Sequence, residues 1–254
     1  MPLLLFRSAA VAAATLITLV TLIGRPIAAV AADDFTPDQR RAIEAIVKDY
    51  LAKNPDVLLD ALQAAEDKIK AEAHDKAAAA LVTQRQALLD DPQSPVAGNP
   101  NGDVSVVEFF DYRCPYCKQV EPSLETLLGQ DHQLRFVYKE FPVLGSESKV
   151  AARAALASRK QGKYDAVHRA LMALKGQIDD SAIMKTAASV GVDVERLKQD
   201  MKSPDIDSEI KATYDLADAL DIHGTPGFVI GNEVVPGAIS IEDMKQLIDT
   251  ARHK

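Results

Sequence analysis

The sequence predicts an α/β domain with an inserted helical block, preceded by a helical N-terminal arm, and three features carry that expectation. The apolar run Val104, Val106, Val107, Phe109, Phe110 reads as a buried strand, and Leu134 to Lys139 reads as a second. From Ser146 to Leu220 the pattern is that of several short helices, with Gly162, Gly176, Gly191 and Ser203-Pro204 as punctuation. Ahead of residue 92 only helical signals occur. With 254 residues, 47% of them hydrophobic, the chain can bury one substantial core and still carry an appendage.

The arm opens with clear start signals. Thr36 caps, Pro37 suits the first helical position and Gln39 completes a capping box, followed by Ile43, Ile46, Val47, Tyr50 and Leu51 at helical spacing. Asn54-Pro55 ends that helix and starts a second, with Leu58, Leu62, Ala65 and Ile69 on one stripe. Ala71 to Gln86 favours helix but offers little to bury. Two amphipathic helices and a polar one make no independent core, so their stripes need another copy of themselves or the rest of the chain. Self-association is the preferred reading, and a stalk folded back on its own domain is the alternative. The arm is placed at 32–92, with Asp90-Asp91-Pro92-Gln93-Ser94-Pro95 as the boundary, and the α/β domain at 93–254 with its helical insertion at about 146–220.

Within that domain, Cys114 lies where the first strand turns into a helix running to about Gly129, and Phe141-Pro142 closes the second strand. Phe228 to Ile230, the turn Gly231-Asn232 and Glu233 to Val235 form a hairpin. Ser240, with Asp243 three residues on, opens the last helix through Met244, Leu247 and Ile248.

The first residues read as a secretory leader, 1–31. Arg7 precedes the apolar stretch Ala9 to Ile23, and the small-residue run Ala28 to Ala32 offers a cleavage site near Ala31. Export to the periplasm follows, and an uncleaved anchor is the alternative. The formal charge of −8, more negative still without Arg7 and Arg25, argues against a nucleic-acid partner.

Both cysteines of the chain stand in Cys114-Pro115-Tyr116-Cys117. A disulfide across so short a loop removes little entropy from the unfolded chain, so its use is to open and close. A half zinc site is the poorer reading, because no further cysteine exists and no histidine is near in sequence. The expected redox group is the Cys114–Cys117 disulfide itself, with no bound cofactor and no metal. A helix N-terminus stabilises an exposed thiolate, which makes Cys114 the nucleophile; Cys117, one turn inward and more buried, resolves the mixed disulfide. Pro115 and Tyr116 tune the poise by deciding which amides reach the Cys114 sulfur.

The run Glu108-Phe109-Phe110-Asp111-Tyr112-Arg113-Cys114-Pro115-Tyr116-Cys117 and the later Gly224-Thr225-Pro226-Gly227-Phe228 resemble the DsbA family of exported thiol-disulfide oxidoreductases over roughly Ser94 to Lys254. Within it the helical arm resembles that of the suppressor-of-copper-sensitivity protein C group. The resemblance implies a thioredoxin-like fold, and a cis Thr225-Pro226 peptide facing the cysteines, where the Thr225 backbone pairs with an extended substrate. It also implies that Glu108 is the family's buried acid, with Glu121 and Lys139 as charged neighbours that together relay a proton to or from Cys117. His223, two residues before Thr225, is a candidate for approaching the site. Arg113 is a source of screened positive potential beside Cys114, and His74, His132, His168 and His253 read as surface residues.

The function expected is disulfide exchange with unfolded or misoxidised exported proteins. Thr225 before the proline resembles isomerase-like and reductase-like relatives, so the leading reading is an isomerase kept reduced by a membrane thiol-redox partner and assembled as a homo-oligomer, a trimer by analogy with the resembling group. A DsbA-like oxidase is the alternative. A copper-binding protein using the same dithiol is the reading from a different class, since soft thiolates suit Cu(I).

Overall fold

The computed structural model describes residues 35–253, so the expected leader and its cleavage near Ala31 lie outside the described residues. The chain divides into two compact units between Leu62 and Gln63. The first holds α1 (Pro37–Lys53) and the opening turns of α2 (Pro55–Thr83). Thr36 caps α1 through a full capping box: Gln39 N–H donates to Thr36 Oγ1 at 3.3 Å, and Thr36 N–H to Gln39 Oε1 at 2.8 Å. Ile46, Val47, Tyr50, Leu58, Leu59 and Leu62 are all exposed. The second and third helices expected of the arm are one helix, α2, because no glycine or proline interrupts its Ala-rich run after Pro55.

The second unit is built on a five-stranded sheet ordered β1-β3-β2-β4-β5. β2 (Val104–Phe110) and β3 (Leu134–Glu140) pair in parallel across α4 (Pro115–Gln130). β4 (Gly227–Ile230) runs antiparallel to β2 and continues into β5 (Glu233–Pro236) through a turn where Gly231 takes φ +59. A strand that the sequence did not announce, β1 (Val96–Gly98), adds antiparallel to β3. Three residues that follow Pro95 and end on a positive-φ glycine carry too short an alternation to read as a strand.

Between β3 and β4 stand α5 (Ser146–Ser158), a 3-10 turn, α6 (Tyr164–Ala173), α7 (Asp180–Ser189), α8 (Val194–Asp200) and α9 (Pro204–Ala219), and α10 (Ile241–Arg252) closes the unit. This is the thioredoxin-like order with a helical insertion.

Alternation along β2 divides the core in two. Val106 and Phe110 face α4 and the helical insertion, whereas Val107 and Phe109 face the opposite side with Val137, Leu216 and Leu220. Leu81 near the end of α2 and Leu88 of α3 (Arg85–Leu89) are buried in that second core. The boundary expected at Asp90–Pro95 therefore lies inside a compact unit that begins at Gln63.

Candidate active site

β2 delivers the chain to a short loop that is fixed by Asp111. This buried carboxylate accepts from the N–H of Arg113 at 2.8 Å and of Leu144 at 2.9 Å, while its carbonyl accepts from Cys114 N–H at 3.0 Å. The loop ends with Cys114 as the N-cap of α4 and Pro115 at the first helical position. Cys114 Sγ accepts from Cys117 N–H at 3.4 Å. Its thiol is lowered from the ordinary 9.0 to about 6, first by the hydrogen bond from the Cys117 thiol, then by the Thr225 side chain and the N–H groups of Cys117 and Tyr116, against the cost of desolvation. Cys117 is pushed strongly the other way, by its hydrogen bond to Cys114, by burial and by Glu108. Both residues are thiols.

The sequence placed an exposed sulfur at Cys114, and the structure corrects this: the residue is 3% exposed and Cys117 is 0% exposed. The cover is the loop before β4. Its Thr225-Pro226 peptide is cis, and Cys114 Sγ donates to the Thr225 carbonyl oxygen at 3.1 Å. Gly227, which follows that peptide, leaves no room for a side chain, since a Cβ there would lie 2.7 Å from Ile222 Cγ2. Tyr116, in contrast, is exposed at the surface of the motif.

Beneath the dithiol lies a buried acid cluster. Glu108, at the centre of the sheet opposite Tyr138 on β3 and Phe228 on β4, has no hydrogen-bond partner for either carboxyl oxygen. Burial, then the charges of Glu121, Cys114 and Glu140, push its carboxyl well above the usual range. Glu121 reaches down from α4, with Oε1 3.4 Å from His168 Nε2.

Lys139 does not belong to this cluster. In the β2–β3 register it stands opposite Phe109, one residue out of phase with Glu108, and so points to the other face of the sheet. There its ammonium donates to Ala87 O at 2.7 Å, Ser94 Oγ at 2.6 Å and Asp91 Oδ2 at 3.4 Å. His168 also departs from the expectation. Far from lying at the surface it is fully buried on α6, between Tyr138, Tyr164 and Phe110.

Two cations beside the cysteines have structural partners. Arg113 donates to Leu144 O at 2.7 Å and Glu147 at 3.0 Å, and Lys118, which the sequence reading passed over, donates to the carbonyls of Leu171, Met172 and Leu174 at 2.8 to 2.9 Å, tying α4 to the end of α6. Burial lowers Lys118 to about 8. His223 is exposed and pairs with Asp221 at 3.0 Å. Among the described residues there is no group of three or more His, Cys, Asp or Glu suited to a metal ion, and no helix long and apolar enough to cross a membrane.

Comparison with known proteins agrees with this geometry. The DSBA-like thioredoxin domain model matches residues 105–249, and the copper resistance protein ScsC N-terminal domain model matches residues 39–72. A thioredoxin-like oxidoreductase of Silicibacter pomeroyi is 44% identical with a TM-score of 0.66, over 67% of this chain and 98% of that one. ScsC of Proteus mirabilis, in a transitional conformation, is 29% identical with a TM-score of 0.63, over 87% of this chain and 98% of that one. Among curated proteins, a Na(+)/H(+) antiporter NhaA of Salinispora arenicola is 28% identical over 64% of this chain. The chain spans about a quarter of the length of that relative, 25%. A model match over more than half the chain, joined to a dithiol at a helix N-terminus under a cis-proline loop, places this chain in the DsbA-like thioredoxin family of thiol-disulfide oxidoreductases.

Proposed function

We propose that the protein is an exported, periplasmic thiol-disulfide oxidoreductase that rearranges disulfides in misoxidised proteins, with Cys114 as nucleophile and Cys117 as resolving thiol. The observation that carries the exchange chemistry is the pairing of a Cys114 thiol lowered to about 6 with a Cys117 thiol driven upward. At neutral pH one sulfur is a ready thiolate and the other keeps its proton. The thiolate attacks a substrate disulfide, forming a mixed disulfide at Cys114. Cys117 then either resolves it or waits while the substrate rearranges. Glu108 is the group beside Cys117 placed to relay its proton on resolution, accepting it as it passes its own onward. Thr225, with Pro226, borders the Cys114 sulfur and is placed to pair with an extended substrate.

Isomerase work favours several dithiols around one substrate. The exposed apolar residues of α1 and α2 support assembly into a homo-oligomer, with a trimer as the first state to test. A membrane partner that returns electrons to Cys114 and Cys117 completes the cycle. The lowered Cys114 thiol also supports a second reading, a disulfide oxidase, because a stabilised thiolate makes the disulfide a stronger oxidant.

The deciding experiment follows refolding of a scrambled disulfide protein beside oxidation of a reduced one. Faster rescue of the scrambled substrate, with the enzyme found reduced in cells, supports isomerisation; activity on the reduced substrate alone, with the enzyme found oxidised, supports the oxidase. A copper titration of wild type against Cys114→Ser tests the dithiol as a metal site, and absence of a stoichiometric complex removes it.

A further inference from the structure

His168 is a buried histidine whose hydrogen bonds can be assigned from its neighbours. Two hydroxyls converge on Glu140 of β3: Tyr112 donates to Oε1 at 2.8 Å and Tyr164 donates to the same oxygen at 2.9 Å. With its proton donated to Glu140, the Tyr112 oxygen accepts from His168 Nδ1, 3.1 Å away, in one of the two imidazole tautomers. In that tautomer Nδ1 carries the imidazole proton. Nε2 is left with a lone pair, and it faces Glu121 Oε1 at 3.4 Å without a hydrogen bond. The unpaired buried atoms on this side of the sheet include Nε2, Glu121 Oε2 and both oxygens of Glu108. Such groups are costly to leave unpaired, and one of them, Glu108, stands beside the thiol whose proton must move during exchange.

We propose that His168 is a positioning residue of disulfide exchange: acting through Glu121, its Nε2 takes up the proton that Cys117 gives up when the disulfide closes. The proposal rests on the exchange chemistry assigned above and extends it to a residue outside the Cys-Pro-Tyr-Cys motif. In the closing step Cys117 Sγ bonds to Cys114 Sγ, the bond from Cys114 to the substrate sulfur breaks, and the substrate leaves as a thiolate with the electron pair. The Cys117 proton passes to Glu108 in concert with the loss of the proton that Glu108 already carries. Glu108 passes one to Glu121, and the Glu121–His168 pair closes on it as imidazolium and carboxylate. Opening the disulfide reverses each transfer.

The surroundings suit a positive charge there in the disulfide form. From α4 the imidazole faces Glu121, from β3 it faces Tyr138 and, through Tyr112, Glu140; on its own helix it stacks on Tyr164. Glu108 of β2 stands behind Glu121, whose charge it feels. Asp165 and Arg169 of α6 pair with each other at 3.2 Å, both exposed.

The test uses full-length protein and glutathione as the probe. The mixed disulfide of Cys114 with glutathione is formed, and its closure is followed by glutathione release between about pH 5 and pH 8. His168→Phe keeps the ring and removes both nitrogens. It is expected to slow closure about tenfold, less than the loss of a group that itself meets the reacting sulfur, and to flatten its pH dependence. The alkylation midpoint of Cys114 stays in place. A wild-type pH profile in this variant, or a midpoint that moves as far as the rate, overturns the proposal. Glu108→Gln separates the two levels: if it too keeps the wild-type profile, the proton route through Glu108 fails with it, whereas a change in Glu108→Gln alone refutes only the role of His168. Wild-type protein gives an independent readout through ¹⁵N signals of the imidazole. Nε2 is expected to gain a proton on going from dithiol to disulfide, and identical signals in the two forms overturn the proposal even if His168→Phe does not fold.

Discussion

Glu108 and Lys139 lie on adjacent, paired strands yet on opposite faces of the sheet, because Glu108 is in register with Tyr138 and Lys139 with Phe109. The acid beneath the dithiol therefore has no lysine to neutralise it, and the lysine holds down the segment from Ala87 to Ser94 instead. Lys139→Met removes three hydrogen bonds from a side chain only 3% exposed, and the expected cost is about 2 to 3 kcal/mol in urea unfolding. Exchange rates and the Cys114 titration should stay at wild-type values. Since the two residues share no partner, the stability changes of Lys139→Met and Glu108→Gln should add within about 0.5 kcal/mol in the double variant. Coupling well beyond that, or a redox equilibrium shifted by Lys139→Met, would return Lys139 to the site.

Cys114 is expected to react with iodoacetamide along a titration curve centred at about pH 6, with Cys117 silent across neutral pH. The same shift has a consequence for stability. A thiol lowered on folding stabilises the reduced protein fully above its ordinary value of 9.0, and that contribution is lost as pH falls through about 6. The oxidised protein has no such term. The melting temperature of the reduced form relative to the oxidised form should therefore decline from pH 9 towards pH 6, and a difference independent of pH would contradict the thiolate. Cys114→Ala should abolish exchange, whereas Cys117→Ala should accumulate mixed disulfides.

Glu108→Gln tests the raised carboxyl by its pH dependence. A group raised on folding destabilises the native state as pH climbs above its unfolded value of 4.5, because the unfolded chain ionises first. The glutamine variant is free of that penalty. It should match wild type near pH 4 and gain on it with rising pH, by at least about 2 °C in melting temperature at neutrality, the scale of a change near 1 kcal/mol in a domain of this size. A constant offset at every pH would show that Glu108 is not held neutral.

How much of this was legible in the chain follows from which signals are local. β2, α4 and the hairpin around Gly231 were readable because an apolar run, an N-terminal proline and a turn glycine act within a few residues. The faces of Glu108 and Lys139 were not, because parity across two strands depends on a register that only the folded sheet defines. His168 was misplaced although a signal existed: Tyr164, Val167, Leu171 and Met172 form the buried face of α6, and His168 sits four residues after Tyr164 on it. A lone polar residue inside an apolar stripe is the mark of a buried partner. Asp111, which fixes the cysteine loop through both carboxyl oxygens, gave no signal beyond its place after an apolar strand.

The arm gives the last prediction, and the structure changes where it should be cut. Deleting up to Asp91 would take Leu81 and Leu88 out of the core and strip Lys139 of Ala87 and Asp91, so loss of activity would report a damaged fold. Deleting residues 33–62 stops at the edge of the second unit and leaves those contacts in place. This shorter protein should be monomeric by light scattering, melt close to the full-length domain and keep the Cys114 titration at about 6. Its rescue of a scrambled substrate should fall by about tenfold or more, since linked sites gain at least that from effective concentration, while oxidation of a reduced substrate persists or rises. A truncated protein that stays oligomeric would place the association surface in the second unit, and one that is monomeric yet rescues scrambled substrate at the full rate would separate isomerisation from assembly.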